Sequence, residues 1–131
     1  MAASITTNAD LVTYEVLPDV EIRRLSTGRT ESEDPPWITR HKMAWRATLL
    51  RLKRRVPSLE EADLDDTDEI KLATCYHVAY LAYKWGPMED DMKKAEYHYH
   101  LWERELETID ITSGGETLEP GGYGFRETSR S

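Results

Sequence analysis

Residues 88–110 read MEDDMKKAEYHYHLWERELETID, and this stretch decides the fold. Its apolar positions recur at alternating spacings of four and three residues, which is typical of a helix that packs along a partner helix. The seam residues are Met88, Met92, Ala95, Tyr99, Trp102, Leu106 and Ile109. A seam this regular predicts a helix over 88–110 with an antiparallel neighbour across a short turn.

The two preceding segments supply the rest of a helical core. Residues 68–85 read DEIKLATCYHVAYLAYKW and carry apolar side chains on almost every side, so we predict a central, buried helix there. A third helix is predicted over 37–56, where positions 38, 45, 49, 52 and 56 form one apolar stripe before Pro57. The expected core residues are Trp45, Tyr76, Tyr80 and Trp102.

The two ends of the chain differ in character from this region. Thr7 and Asp10 have the spacing of a helix capping box, which predicts a short helix over 7–17. Residues 24–36 are polar, with one glycine and two adjacent prolines, and are predicted to form a linker. Residues 112–131 hold five of the seven glycines and are predicted to form an extended segment outside the core.

The sequence therefore predicts an all-α fold. We expect a small antiparallel bundle of three to four helices within a helical domain over 1–111, followed by an extended glycine-rich C-terminal tail over 112–131. The tail contains the apolar residues Leu118, Tyr123 and Phe125 next to Arg126. Exposed aromatic side chains in a segment that cannot fold alone favour a docking role for these four residues over a passive tail.

Charge is divided unevenly along the chain. The net charge of −8 argues against a general nucleic-acid binder. Seven Lys and Arg residues lie within 40–55, and seven Asp and Glu residues follow within 60–69. The basic helix could contact phosphates, or it could pair with the acidic run or with a neighbouring subunit. No aromatic residues are interleaved with the cations, which favours ion pairing.

No catalytic, cofactor-binding or metal-binding residue is predicted, and the chain is not expected to be an enzyme. The sequence lacks the common phosphate-loop, dinucleotide-binding, zinc-protease and serine-hydrolase motifs. His98 and His100 are two positions apart on a predicted helix, so they point away from each other. Cys75 lies in the most apolar helix and is expected to be a core residue. No run reaches the roughly 18 apolar residues of a membrane span, so no membrane contact is expected.

Four segments of the chain, taken in order, resemble one protein family. The first two are Thr7-Asn8-Ala9-Asp10-Leu11 and the basic helix end Leu52-Lys53-Arg54-Arg55. The helices IKLATCYHVAYLAYKW (70–85) and MKKAEYHYHLWERELETIDI (92–111) follow, the second running into a glycine-containing tail. This order resembles the head-to-tail adaptor proteins of tailed bacteriophages, also called neck or head-completion connector proteins. The likeness covers about 7–118, and the segments 24–36 and 58–67 depart from it.

The resemblance implies a structural virion protein located in the neck and assembled in the host cytoplasm. Copies would form a dodecameric ring beneath the portal, connecting capsid to tail. The implied partners are the portal protein, a tail-completion or tail-terminator protein, other copies of the chain, and double-stranded DNA that passes without specific binding. The residues expected at the ring contact or the DNA channel are Arg51, Arg54, Arg55, Asp65 and Asp66, and the tail residues would dock on the portal or a neighbouring subunit.

A different class of function also fits the charge pattern. The chain could be a small cytoplasmic regulatory module that binds protein or nucleic acid through the basic helix 37–56. Rings or portal binding would indicate the adaptor, whereas dimers with saturable nucleic-acid affinity would indicate the regulator.

Overall fold

The computed structural model of the chain describes residues 6–26 and 37–118. Within these ranges the chain forms five α-helices, a short 3₁₀ helix and a two-stranded hairpin. The α-helices are α1 (Asn8–Thr13), α2 (Asp19–Ser26), α3 (Trp37–Arg55), α4 (Asp68–Lys84) and α5 (Asp91–Thr108). The 3₁₀ helix is Glu61–Asp63, and the strands are β1 (Thr112–Ser113) and β2 (Glu116–Thr117). The predicted all-α helical bundle is confirmed.

Helix α4 is central, because its side chains are buried on all sides and it packs against both α3 and α5. Its pairing with α5 is antiparallel. Ile70 near the start of α4 packs in one cluster with Leu106 near the end of α5, and Tyr83 packs in another with Ala95. Each large aliphatic side chain buried in this way stabilises the fold by about 1.5–3 kcal/mol relative to an exposed position.

The core consists of two clusters along the bundle. The hairpin-side cluster comprises Trp45, Leu52, Val56, Leu59, Leu64, Ile70, Ala73, Trp102, Leu106, Ile109 and Ile111. The amino-terminal cluster comprises Leu11, Leu17, Ile22, Leu25, Ala44, Cys75, Val78, Ala79, Leu81, Ala82, Tyr83 and Ala95. Both clusters draw on α3, α4 and α5, so the three long helices form one body.

A small polar junction joins the three long helices. The indole Nε1 of Trp102 donates to Thr48 Oγ1 at 3.0 Å, and Thr74 Oγ1 lies 3.4 Å from the same oxygen. Thr74 also donates to the carbonyl of Ile70 at 2.8 Å. All these groups are buried and hydrogen-bonded, as polar groups in a protein interior must be.

The start of α5 differs from the predicted seam. Met88 precedes the helix and is 60% exposed, and Met92 is 53% exposed, while Asp91 between them is 1% exposed. The buried seam therefore begins at Ala95, and the prediction was wrong for Met88 and Met92. The reason is an ion pair with a residue distant in sequence, which the spacing of apolar residues does not reveal. Arg24 donates to both carboxylate oxygens of Asp91, at 2.9 and 3.2 Å. Because both oxygens of the Asp91 carboxylate are hydrogen-bonded, Asp91 can be buried, and Met88 and Met92 face solvent.

The amino-terminal region forms two helices where one was predicted over 7–17. The capping contact is present, since Asp10 Oδ2 accepts the Thr7 N–H at 2.8 Å, but α1 ends at Thr13. The chain then reverses through Glu15, whose φ of 58° lies in the left-handed region. Helix α2 follows and takes in 24–26, which were predicted as linker. The rest of that linker, 27–36, lies outside the described residues.

The carboxyl-terminal segment also departs from the prediction. Residues 112–118 were expected in an extended tail but belong to the folded body. Thr112 pairs with Thr117 around a two-residue turn, where Gly114 and Gly115 adopt φ of 60° and 86°. Positive φ at both turn positions is what glycine permits without steric cost. The Leu118 N–H then donates to the carbonyl of Ile111 at 2.7 Å, and its side chain packs on the hairpin-side cluster.

Candidate functional site

Helix α3 leaves one long face in solvent. Its inner side is buried against α4 and α5 through Ala44, Trp45, Thr48 and Leu52. We call the opposite side the α3 outer face; it comprises Thr39, Lys42, Met43, Arg46, Leu50 and Arg54, which helical spacing places on one side. Met43 is 45% exposed and Leu50 is 59% exposed. Most of this face lines one shallow surface depression.

The cations of the α3 outer face form no ion pair with the part of the chain that the structure describes. Lys42, Arg46 and Arg54 are exposed, and no ion pair joins any of them to another of the described residues. The sequence left open whether the basic helix pairs with the acidic run of 60–69 in the same chain. Within 6–26 and 37–118, that intrachain pairing does not occur.

Two other arginines of α3 have structural contacts instead. The Arg51 guanidinium stacks over the Trp102 ring at 4.7 Å and reaches Glu103 at 3.3 Å. Arg55 Nη1 donates to the carbonyls of Leu106 and Ile109, both at 2.7 Å, and so caps the end of α5. Three arginines were predicted at a ring contact or channel. Of these, only Arg54 is exposed and has no hydrogen bond or ion pair with another of the described residues.

Acidic side chains gather where α3 ends, α4 begins and α5 ends. We call this region the acidic end; its carboxylates are Glu69, Glu105 and Asp110, none of which forms an ion pair with another of the described residues. Glu69, Glu105 and Asp110 line one depression, which shows that residues distant in sequence meet there. Unlike the acidic run of the sequence, this surface includes carboxylates from α5 and the segment after it.

The two acidic residues that the sequence singled out have partners within the chain. Asp65 accepts the N–H groups of Gly115 and Gly114, both at 2.8 Å, and these bonds hold the pKa of its carboxyl below the ordinary value. Asp65 thereby fastens the hairpin to the loop before α4. Asp66 lies 3.7 Å from Lys71 in an ion pair.

A clasp of charged side chains holds α2 against the corner between α4 and α5. Arg24 bridges Asp91 and Glu21, with its Nε donating to Glu21 at 2.7 Å. The Tyr83 hydroxyl also donates to Glu21. The bond from Arg24, followed by that from Tyr83, lowers the pKa of Glu21 to about 2. Sequence reasoning missed this clasp; the three-residue spacing of Glu21 and Arg24 was its only local signal.

Buried histidines form the other notable polar sites. His41 is held by Thr6 Oγ1 at 2.7 Å and by Asn8 Oδ1 at 2.8 Å, and burial lowers its pKa to about 4. His77 packs against Trp102 with ring centroids 4.3 Å apart. Both imidazoles bind parts of the fold together, and His41 also lines a surface cavity of about 450 Å³ beside Trp37 and Ile38.

The predicted core residues fall into two groups. Trp45 and Trp102 are buried, at 6% and 3% exposure. Tyr76 and Tyr80 are half-buried and pack on the edges of the two clusters. Of the predicted docking residues, Leu118 is part of the body, while Tyr123, Phe125 and Arg126 lie outside the described residues.

Within 6–26 and 37–118, no group of three or more His, Cys, Asp or Glu residues is arranged to hold a metal ion. No helix in these ranges has the length and apolar character needed to cross a membrane. Comparisons with protein-family models, with curated proteins and with solved structures found no match to this chain. Among the described residues, the candidate site therefore consists of two surfaces, the α3 outer face and the acidic end.

Proposed function

We propose that this protein is a structural assembly subunit: a head-tail adaptor that forms a ring beneath the portal of a tailed bacteriophage and joins the capsid to the tail. The observation that carries the proposal is the α3 outer face, an apolar and basic surface that the other described residues leave uncovered. The resemblance of residues 7–118 to head-tail adaptor proteins supports the particular assembly.

The composition of the α3 outer face is that of a contact surface. Met43 and Leu50 lie between cations, so the face has an apolar centre and a charged rim. Protein interfaces commonly have this anatomy, and methionine adapts its shape to a partner at low cost.

The expected partners follow from the proposed place in the virion neck, reached by assembly in the host cytoplasm. Other copies of the chain would complete a ring, the portal protein would lie above it, and a tail-completion or tail-terminator protein below. Double-stranded DNA would pass through the ring without specific binding, since the net charge of −8 disfavours tight phosphate contacts.

Tail docking forms the second part of the proposal. Leu118, the last of the described residues, is held by its hydrogen bond to Ile111 and packs on the hairpin-side cluster. From there Tyr123, Phe125 and Arg126 are proposed to contact the portal or a neighbouring subunit. Removing 119–131 while keeping Leu118 tests this without cutting into the hairpin.

The decisive experiment combines purified portal with the full chain and images the product by electron microscopy. We expect a ring of density beneath the portal, present with the full chain and reduced when 119–131 are deleted. Free portal after incubation with saturating full-length chain would refute the adaptor assignment. A truncated chain that docks as well as the full chain would assign docking to the helical body instead.

One observation favours a second function. Lys42, Arg46 and Arg54 are exposed and unpaired among the described residues, as a nucleic-acid-binding regulator acting through α3 would require. Titration of a labelled DNA duplex by fluorescence anisotropy separates the two. Saturable binding that weakens steeply with salt and disappears in an Arg46→Gln, Arg54→Gln variant would favour the regulator.

A further inference from the structure

We infer that the α3 outer face of one copy binds the acidic end of a second copy in a head-to-tail contact. The contact deepens the proposed function by naming the subunit interface, and only its place in a portal-bound ring rests on that function. Self-association through this contact can be measured on the purified chain, without the portal protein.

The first reason is that the two surfaces are complementary but separate. The α3 outer face offers three exposed cations, and the acidic end offers carboxylates from three parts of the chain. Within one copy, no described cation of the face reaches a carboxylate of the end. Since both surfaces belong to every copy, a second copy supplies what the first lacks.

The second reason concerns symmetry. A symmetric dimer through α3 would bring Lys42, Arg46 and Arg54 against the same cations of the partner, and like charges facing each other are repulsive. The same objection applies to two acidic ends. A contact between unlike surfaces avoids both, and a contact of this kind leaves one free surface at each end of a dimer, so that it propagates.

The third reason is apolar. Met43 and Leu50 are large side chains in water at the centre of the face. The acidic end offers small apolar groups among its carboxylates, namely the methyl groups of Thr67 and Thr108. Covering Met43 and Leu50 with them would remove apolar surface from water, while the surrounding charges set the orientation.

Cysteine cross-linking tests the geometry. The native Cys75 is buried, and burial raises the pKa of its thiol to about 12, so introduced cysteines will be the reactive ones. We would prepare Leu50→Cys and Glu69→Cys separately and treat them with a short bismaleimide, alone and mixed. We expect cross-linked dimers only in the mixture. Cross-linking of Leu50→Cys with itself, or none in the mixture, would overturn the inference.

Charge neutralisation tests the energetics. A face variant (Arg46→Gln with Arg54→Gln) and an end variant (Glu69→Gln with Asp110→Asn) each lose one surface and keep the other. By sedimentation velocity at low salt, we expect each alone to be monomeric where the wild type associates, with association weakened at least about tenfold. An equimolar mixture should stop at the heterodimer, because only one productive contact remains.

A matched control is Lys93→Gln with Arg104→Gln, which removes two exposed charges from α5 outside both surfaces. It should associate as the wild type does, and circular dichroism should show all variants folded. The wild type should dissociate as salt rises from about 50 mM to about 500 mM. A wild type that stays monomeric at low salt, or a face variant that associates normally while losing DNA binding, would overturn the inference.

The outcomes also separate this contact from the phage assignment. Self-association with the predicted variant behaviour, but without portal binding, would keep the contact and refute the adaptor function. Portal binding by a chain whose face and end variants still assemble would do the reverse.

Discussion

Replacing His77 with Phe should remove part of the acid sensitivity of the fold. His77 is 7% exposed, and its Nδ1 has no hydrogen-bond partner among the described residues. Burial is the main cause that lowers its pKa from 6.5 to about 4, and the positive charges of Arg51 and Lys84 lower it further. The imidazole is therefore neutral in the folded protein down to about pH 4.

The sign of the effect follows from comparing the folded and unfolded states. Between pH 6.5 and pH 4 the unfolded chain takes up a proton at His77 that the folded chain does not bind. The stability associated with this group is fully present above pH 6.5 and is lost as the pH falls toward 4. The difference between the two pKa values corresponds to roughly 3 kcal/mol over the whole interval.

The size of the effect can be expressed as the slope of the free energy of unfolding against pH. Near the middle of the interval, His77 should contribute about 1 kcal/mol per pH unit to the free energy of unfolding, and the Phe variant should lack this contribution. His41 has a similar lowered pKa and should leave a residual slope in the variant. A phenyl ring keeps the aromatic contacts with Tyr80, Tyr99 and Trp102.

Urea unfolding followed by circular dichroism at several pH values between 4 and 7 measures this slope. The exposed His100, whose side chain is 75% accessible, provides the matched control His100→Phe for the loss of an imidazole as such. The quantity of interest is the difference between the two variants. An unchanged slope in His77→Phe, relative to the wild type, would refute the assignment of acid sensitivity to this buried ring.

Three further changes test the fold. Trp102→Ala should lower the free energy of unfolding by roughly 3–5 kcal/mol in urea unfolding, since it empties a buried site and leaves a junction hydroxyl with one partner fewer; a loss below about 1 kcal/mol would contradict its core role. Gly86→Ala should cost about 1–3 kcal/mol by thermal unfolding, because an added Cβ would clash with the side chain of Asp91; an unchanged melting temperature would show that the chain around Gly86 shifts to make room. Asp65→Asn should speed amide hydrogen exchange at Gly114 and Gly115, and unchanged protection there would mean the hairpin holds without the carboxylate.

The long helices could be predicted from the sequence because their apolar periods are dictated by the geometry of an α-helix. The seam from Ala95 to Leu106 and the apolar residues on all sides of α4 could be recognised from local spacing alone. The start of α5 could not be predicted in this way, because it depends on Arg24, a residue 67 positions away that makes a buried aspartate tolerable.

The candidate site was predictable in part. The division of charge between 40–55 and 60–69 is visible in the sequence and persists in the structure as two surfaces. Which cations remain available was not visible, since Arg51 and Arg55 are committed to α5 through contacts between separate helices. The hairpin was missed because overall glycine content was weighed above the local pattern, in which Gly114 and Gly115 separate two pairs of strand residues.

The polar junction of Thr48, Thr74 and Trp102 has a consequence for which packing the chain adopts. A helix that is apolar on all sides, as α4 is, can in principle rotate or slip by a turn against its neighbours with little loss of apolar burial. Such a slip would strand the Trp102 N–H and the Thr48 hydroxyl in an apolar interior, at a cost of about 1–3 kcal/mol for each group. The junction thus selects one register of the helices. It adds little to the stability of the correct bundle and destabilises each displaced one, so that the surfaces of α3 and α5 face outward in a single arrangement.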